Sequence, residues 1–204
     1  IYDSLHNFVQ YNDARSETED PWNNLGFNIS LQQKLDEKGK ELSVDGDYLL
    51  YRTRGRQYSD NYLYNSDKIP SEDPFLLRGY LPADIDIFSL KADYKQPLKK
   101  ETVLEAGFKT SYVKTDNDAQ YTFFEDDKWV VDESRSNHFI YKENINAAYI
   151  NLQKQIKKVG VQLGLRAEQT IAEGNQVTKD IDFKKNYTRL FPTAYISYQA
   201  DDKN

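Results

Sequence analysis

The residues that could do chemistry in this chain are two histidines and many carboxylates, and their spacing supports no catalytic site. His6 and His138 lie far apart, and the chain has no cysteine. The acidic runs TDND at 115–118 and EDD at 125–127 lack the twelve-residue spacing and closing glutamate of an EF-hand, and no G-x-S-x-G elbow occurs. Spacing singles out no glycosidase-like pair among the 33 acids. We therefore predict no enzyme activity, no metal site and no cofactor.

Aromatic side chains interleaved with acids form the first candidate ligand-binding set. They lie in AQYTFFEDDKWVVDESRSNHF, 119–139, and in the polar segment 54–82, and comprise Tyr121, Phe123, Phe124, Trp129, Tyr58 and Tyr62. Rings of this kind stack on sugar faces while neighbouring carboxylates bond hydroxyl groups, so a glycan or peptide ligand is indicated. The competing interpretation, which we favour, is a β-ribbon in which YTFFE pairs with KWVVD across DD. A ribbon does not exclude ligand contact at its tip.

Strands must position these residues, because side chains alternate in character along most of the chain. In VGVQLGLRAEQT, Val161, Leu163 and Leu165 fall on one face of a strand while Gln162 and Arg166 fall on the other. The same period recurs on both sides of short turns at about 36–41, 96–100 and 155–158. The 16 tyrosines and 10 phenylalanines also favour strands. We predict about seven long antiparallel strands.

The third hairpin carries a specific register prediction. If its turn centres near Ile156, Asn146 lies opposite Arg166, Asn144 opposite Glu168, and Ala148 opposite Gly164. These pairings would place polar side chains of both strands on one face.

Composition excludes one class of partner and leaves two classes of fold. With 27 Lys+Arg against 33 Asp+Glu, the net charge of -6 argues against nucleic-acid binding. There is no charged-then-apolar leader and no run of about 18 apolar residues, so neither a signal peptide nor a membrane helix is expected. A soluble sandwich and a membrane barrel both produce alternating strands, and the mean hydropathy of -0.84 is low for a membrane protein.

The connections favour the barrel. Short turns alternate with long polar segments at roughly 53–84, 115–139 and 171–188, which we interpret as irregular loops. In an up-and-down sheet this alternation puts every short turn at one end, as in an outer-membrane barrel. The periodic stretches are also about nine to twelve residues long, the length that a tilted strand needs to cross a bilayer.

Several motifs in order resemble the outer-membrane β-barrel family of Bacteroidetes related to TonB-dependent receptors. The most specific are E-N-x-x-A-A-Y at 143–149 leading into G-L-R-x-E at 164–168, and L-F-P-x-x-x-x-S-Y at 190–198. KADYKQPLKKETVLEAGFKTSY, 91–112, is similar to the preceding hairpin of that barrel. The resemblance covers about residues 25–204.

The resemblance implies an all-β, antiparallel up-and-down sheet belonging to a large transmembrane barrel of about 22 strands in the plugged transporters. It implies contact with outer-membrane lipid, a plug domain in the parent chain, a TonB-type energy-coupling complex and import of an unspecified nutrient ligand. Residues 1–204 would be an interior piece without plug or final strand, and its two open edges would favour self-association. The alternatives are a barrel of this family that acts in surface binding or assembly without transport, and a soluble β-sandwich binding module.

In the implied barrel, a second candidate set of charged and polar residues should line the lumen. They are Lys91, Asp93, Glu105, Lys109, Asn146, Arg166 and Glu168. Such residues pair across strands or remain hydrated, and they more often anchor a plug than bind cargo.

Overall fold

The computed structural model describes residues 9–200, which form one antiparallel sheet of nine strands. The strands are β1 (Gln10–Glu19), β2 (Trp22–Lys34), β3 (Glu41–Asn65), β4 (Phe75–Leu98), β5 (Thr102–Glu125), β6 (Lys128–Val131), β7 (Asn137–Ile156), β8 (Val159–Gln176) and β9 (Ile181–Tyr198). A 3₁₀ turn, Val177–Lys179, joins the last two strands. In this part of the chain no helix is both long enough and apolar enough to cross a membrane.

The sheet runs in the order β1-β3-β4-β5-β7-β8-β9, so neighbours in sequence are almost always neighbours in space. β1 and β2 pair with successive halves of β3 in one continuous register, from Gln10 opposite Asn65 to Lys34 opposite Glu41. Pro21 interrupts them because it has no backbone N–H to donate. β6 pairs only with the end of β5. The seven long strands and the up-and-down order predicted from the sequence are confirmed.

The three short turns lie where the sequence predicts them, at 35–40, 99–101 and 157–158. Gly39 has the positive φ expected of it, 89°. In the same turn the carboxylate of Asp36 accepts hydrogen bonds of 2.9 Å from the backbone N–H groups of Lys38 and Lys40. These local bonds close the turn without help from the rest of the sheet.

The long connections are not irregular loops, and that prediction was wrong. β3 and β4 continue as paired strands until only residues 66–74 remain between them, and β8 and β9 are separated by the 3₁₀ turn alone. We call these outer parts of β3–β9 the strand extensions; they comprise 53–65, 75–84, 114–125, 137–144, 171–176 and 181–186. Neither face of the extensions is uniformly apolar, so the alternation that reveals a strand is lost there. At about 3.3 Å per residue, strands of 24 residues reach far beyond a hydrocarbon layer of about 30 Å.

The predicted register of the third hairpin was also wrong. Its turn contains only Lys157 and Lys158, with Ile156 opposite Val159. Asn146 therefore lies opposite Gln169 and Asn144 opposite Ile171, and the partner of Arg166 is Tyr149. Ala148 meets Ala167 rather than Gly164, and Glu168 meets Ala147. The offset from the prediction is an odd number of residues, and any odd offset moves a side chain to the other face of the sheet.

The sheet has almost no buried core. Ala147 and Ala172 are the only apolar side chains classed as buried among residues 9–200, whereas Ile29 is 76% exposed and Ile196 72% exposed. A sandwich would cover its apolar rows with a second sheet, and the described residues form a single layer. The soluble β-sandwich alternative is therefore wrong for this chain.

Candidate functional site

One face of the sheet carries a continuous apolar band. We call this the apolar face; it contains the odd-numbered residues of β1, β2, β6 and β8 and the even-numbered residues of β3, β4, β5, β7 and β9. The opposite face is the polar face. The apolar band consists of Leu25, Phe27, Ile29, Leu31, Leu42, Val44, Tyr48, Leu50, Phe88, Leu90, Ala92, Tyr94, Leu104, Ala106, Phe108, Tyr112, Ala148, Ile150, Leu152, Val161, Leu163, Leu165, Ala167, Leu190, Pro192, Ala194 and Ile196.

The band crosses the strands obliquely. On β2 and β3 the band ends at Leu25 and Leu50, which lie opposite each other. The line of directly opposite residues that starts at Leu50 crosses the sheet and ends at Lys184 on β9. The last band residue on β9 is Leu190, six residues nearer the short turns than Lys184. The band thus shifts by about one residue of 3.3 Å for each strand spacing of about 4.8 Å, which corresponds to a strand tilt of about 35°. Barrel strands tilt by about 35–45° to the barrel axis. The band therefore lies perpendicular to the barrel axis when the sheet forms a barrel wall.

Six of the seven predicted lumen residues lie on the polar face, at the level of the band on the opposite side of the sheet. Lys91 forms an ion pair with Asp93, and the Arg166 guanidinium donates to Glu168 through Nη2 at 2.7 Å and Nε at 3.1 Å. Glu105 and Lys109 lie on the same face of β5. These side chains are half-buried to exposed, with the Asp93 side chain 21% exposed and Lys91 45% exposed. Their charges therefore remain available to an outside partner.

Tyr149 is the residue of this cluster that sequence reasoning missed. Its hydroxyl donates a 2.6 Å hydrogen bond to Oδ1 of Asp93, across the intervening β5. The ring lies over Gly107, where a Cβ atom would come within 2.4 Å of Tyr149 Cε1. By alternation Tyr149 falls on the same face as Ile145 and Ala147, and this mixed set does not indicate which face of the sheet it occupies. The available signal was a glycine and a tyrosine directly opposite each other, which becomes visible only once the register is known.

Crowding at glycines shows that the polar face is the concave one. Seven strand glycines lie on it, and a Cβ at any of them would come within 3.0 Å of another side chain; they are Gly26, Gly55, Gly79, Gly107, Gly160, Gly164 and Gly174. Gly46 lies on the apolar face and has nothing within 4 Å of the position of a Cβ. Side chains converge on the inside of a curved sheet and diverge on the outside. The polar face is thus the inner surface of the wall.

Asn146 does not belong to the lumen set, and its predicted placement is corrected. It lies on the apolar face, in the polar row next to the band. Its Oδ1 accepts a 2.7 Å hydrogen bond from Thr110, and its amide donates to Oδ1 of Asn144. The amide of Asn144 in turn donates to the Ser111 carbonyl at 3.1 Å. These mutual bonds reduce the cost of placing amides beside apolar side chains.

The predicted aromatic ligand set is divided between the two faces. YTFFE and KWVVD form the expected ribbon, with Phe124 opposite Trp129 and Glu125 opposite Lys128. Phe124, Trp129, Tyr58 and Tyr62 lie on the apolar face, beyond the band. Tyr121 and Phe123 lie on the polar face. One ligand cannot touch all six rings at once.

Arg78 joins the aromatic residues of the apolar face into a stack. Its guanidinium carbon lies 4.8 Å from the centroid of the Tyr58 ring and 5.2 Å from that of Trp129. Phe124 meets Trp129 edge to face at a centroid distance of 5.4 Å. A guanidinium between two rings gains from both quadrupoles and holds the ribbon against β3 and β4. A cavity of about 470 Å³ adjoins the stack, with Arg15, Glu17 and Asp60 in its lining.

A polar turn returns the chain from the ribbon to β7. The buried carboxylate of Asp132 accepts hydrogen bonds from the Ser134 hydroxyl at 2.6 Å and the Ser134 N–H at 3.0 Å. It also accepts from the N–H and the guanidinium of Arg135. These bonds to Ser134 and Arg135 lower the pKa of Asp132 from 3.8 to about 2. The carboxylate is therefore ionised at any physiological pH and fixes the turn.

Metal-binding chemistry finds little support in the described residues. His138 lies 2.8 Å from Asp116, Nε2 to Oδ1, on the strand extensions. No group of three or more His, Asp or Glu side chains within residues 9–200 is placed to hold a metal ion. His6, the other histidine, lies outside the described residues.

A family model agrees with the geometry. The model for the outer membrane protein beta-barrel family matches residues 33–204. The chain belongs to this family. Its members reside in the bacterial outer membrane, so the apolar band contacts membrane lipid. The outer-membrane β-barrel family inferred from the sequence motifs is confirmed, together with the fold class and the location.

Two solved structures are similar to part of this barrel wall, and both are much longer chains. The unliganded ferric citrate transporter FecA is 12% identical over 80% of this chain and 25% of that chain, with a TM-score of 0.48. The ferric yersiniabactin uptake receptor FyuA from Yersinia pestis is 12% identical over 80% of this chain and 27% of that chain, with a TM-score of 0.34. The chain thus spans about a quarter of either structure. No curated protein matches it in sequence.

Proposed function

We propose that this barrel wall serves a TonB-dependent receptor that imports a nutrient ligand, with the charged cluster of the polar face anchoring a plug domain of the parent chain. The observation that carries the proposal is the network of Asp93, Tyr149, Arg166 and Glu168 at the depth of the apolar band. At this depth the outer side of the wall meets hydrocarbon.

The network needs a polar partner inside the barrel. Ionised groups at the depth of the bilayer are expensive unless they are hydrated or paired. Lys91 pairs with Asp93 and Arg166 with Glu168, yet each of these side chains keeps an exposed fraction of 21% or more. A water-filled pore would hydrate them, whereas a folded plug would bond to them in a fixed arrangement. Tyr149 over Gly107 supplies a rigid surface between the two pairs.

The experiment tests uptake and plug retention in the full-length parent. Asp93→Asn, Arg166→Gln and Glu168→Gln are combined in one variant, and Leu165→Ala on the apolar face is the control. Cells are assayed for accumulation of candidate ligands with and without the proton-motive force, and plug retention is followed by limited proteolysis. We expect energy-dependent uptake that falls in the triple variant together with plug protection, while the control behaves as the native protein. Accumulation that does not respond to the proton-motive force would refute the import proposal.

A second function is favoured by the stack of Tyr58, Arg78 and Trp129. These side chains lie on the outward side of the wall, beyond the band, where cargo inside the lumen cannot reach them. A surface barrel that binds a partner or a glycan without transport would use such a site. The sequence of the parent gene distinguishes the two functions, because transport requires a plug domain encoded upstream of this wall and surface binding does not.

A further inference from the structure

We propose that the short turns carry a lysine rim that binds the headgroups of anionic phospholipids. The rim consists of Lys38, Lys40, Lys99, Lys100, Lys154, Lys157 and Lys158. This inference concerns the outer edge of the wall and does not depend on what passes through the lumen.

Charge along the chain is strongly segregated. The segments 36–40, 99–101 and 154–158 contain the seven rim lysines and only three acids, Asp36, Glu37 and Glu101. Their net charge is +4 in a chain of net charge -6, so the remaining residues carry -10. All eight arginines lie elsewhere in the chain. A basic rim on an acidic protein is the electrostatic footprint of an anionic surface.

Each short turn repeats the same arrangement of an apolar residue followed by lysines. Leu35, Leu98 and Ile156 extend the apolar face down to the turns and are 47%, 47% and 52% exposed. Rim lysines follow each one within a few residues, and Lys154 precedes Ile156 by two. Apolar side chains therefore reach the turns beyond the band, and the lysines lie where hydrocarbon gives way to the headgroup layer. Lysine suits this boundary because its alkyl stem lies along apolar surface while its ammonium group reaches water.

Several cations at the end of the wall opposite the short turns have carboxylate partners. On the strand extensions, Arg54 lies 2.5 Å from Asp84 and Lys184 lies 2.5 Å from Glu173, and just inside them Arg52 is paired with Asp86. At the short turns, no ion pair joins Lys38, Lys40, Lys99, Lys100, Lys154 or Lys157 to a carboxylate within residues 9–200, and Asp36 bonds the backbone N–H groups of Lys38 and Lys40. The ammonium groups of these six lysines are thus available to a partner outside the chain.

The position of the rim identifies that partner. The band contacts lipid, so the headgroup layer lies next to the edge of the band at the short turns. In outer-membrane barrels the short turns lie on the periplasmic side. The anionic group available there is a phospholipid phosphate. Each lysine near such a surface changes the preference for anionic lipid by about fivefold at low salt. The effect is screened beyond about 10 Å at 0.1 M salt.

The test measures which lipid the purified full-length parent retains. Protein is reconstituted into bilayers of equal parts phosphatidylglycerol and phosphatidylcholine, extracted gently, and the ratio of the two retained lipids is measured by mass spectrometry. In the test variant Lys38, Lys99 and Lys157 are changed to glutamine. The matched control changes Lys68, Lys128 and Lys179, which lie at the other end of the wall, to glutamine. Both variants lose the same net charge.

We expect the native protein and the control to retain phosphatidylglycerol in excess and the test variant to lose several-fold of that excess. The excess of the native protein should also shrink when salt is raised, and this measurement needs no variant. Equal losses in the control and test variants would overturn the proposal, as would a salt-independent ratio. Equal retention of both lipids by the native protein would also overturn it and would point to an acidic protein at the rim.

Discussion

The two faces of this sheet are built from the same strands and share every backbone hydrogen bond, yet they constrain substitution in different ways. On the apolar face Gly46 has open space around it, and Ile29 is 76% exposed to the membrane side. On the polar face a Cβ at Gly107 would lie 2.4 Å from both Asp93 Oδ1 and Tyr149 Cε1. The apolar face therefore restricts the chemistry of a side chain, whereas the polar face restricts its size.

A charge placed on alternate residues of β8 tests this contrast most strongly. We expect Leu163→Arg in the full-length parent to destabilise the membrane-inserted fold by about 2–4 kcal/mol, because Leu163 lies near the middle of the band. Gln162→Arg, one residue away on the polar face, should change it by about 0.5 kcal/mol or less. Reversible urea unfolding in lipid vesicles measures both. Similar losses for the two variants would mean that the polar face is not hydrated.

A methyl group added at a glycine tests the steric half of the contrast. Gly107→Ala should cost about 1–3 kcal/mol, because the Tyr149 ring must leave its position over the glycine and lose its bond to Asp93. Gly46→Ala should be neutral or stabilise by about 0.4–1 kcal/mol, since the unfolded chain loses freedom and the folded chain has space. The same unfolding assay compares them. A larger cost at Gly46 would contradict the assignment of the concave side.

Removal of one hydroxyl sharpens the comparison further. Tyr149→Phe keeps the ring over Gly107 and deletes the hydrogen bond to Asp93, so a loss of about 1 kcal/mol is expected. Tyr112→Phe on the apolar face is the control, and its hydroxyl makes no hydrogen bond within residues 9–200. The control should remain within a few tenths of a kcal/mol of the native protein, because no intramolecular bond is lost. An equal effect of both changes would show that the hydrogen bond from Tyr149 to Asp93 does not stabilise the fold.

The smallest effect expected is local and concerns the strand extensions, outside the membrane. The pKa of Asp132 is lowered from 3.8 to about 2 in the folded chain. Because the pKa of Asp132 is lower in the folded chain than in the unfolded chain, its carboxylate stabilises the turn at pH values above about 3.8. This contribution is lost as the pH falls from about 3.8 towards 2. The Ser136 amide donates a 2.8 Å hydrogen bond to the Asp132 carbonyl in this turn. Its protection from hydrogen exchange, relative to the intrinsic rate at each pH, should fall over that window, and Asp132→Asn should remove the pH dependence. Unchanged protection of Ser136 down to pH 2 in the native protein would contradict the assignment.

Much of the fold was predictable because its signals are local. The alternation in β2, β3, β4, β5, β7, β8 and β9 revealed all seven long strands, and Gly39 marked the first turn. The ribbon of β5 and β6 was predictable because two aromatic runs flank two adjacent aspartates, which adopt positive φ in the turn. The strand extensions were hidden because neither of their faces is uniformly apolar. A hydrogen-bonded ladder continues there without a hydrophobic pattern to mark it.

The candidate site was less predictable than the fold. The six residues Lys91, Asp93, Glu105, Lys109, Arg166 and Glu168 share one face of the sheet, as the alternation within each strand predicts. Asn146 was assigned incorrectly and Tyr149 was missed for the same reason. Their strand has weak alternation near 144–149, so its faces had to be inferred from a register placed three residues too early.

The sequence by itself determined the strand period, the positions of the turns, the charge segregation and the family, since each depends on residues close together in the chain. Only the tertiary structure decided the register of β7 against β8, the oblique path of the band, the concave side and the contact of Tyr149 with Gly107 and Asp93. These features depend on hydrogen bonds between strands, where a shift of one residue exchanges the two faces. Side-chain alternation within one strand is the same in either register and cannot distinguish them.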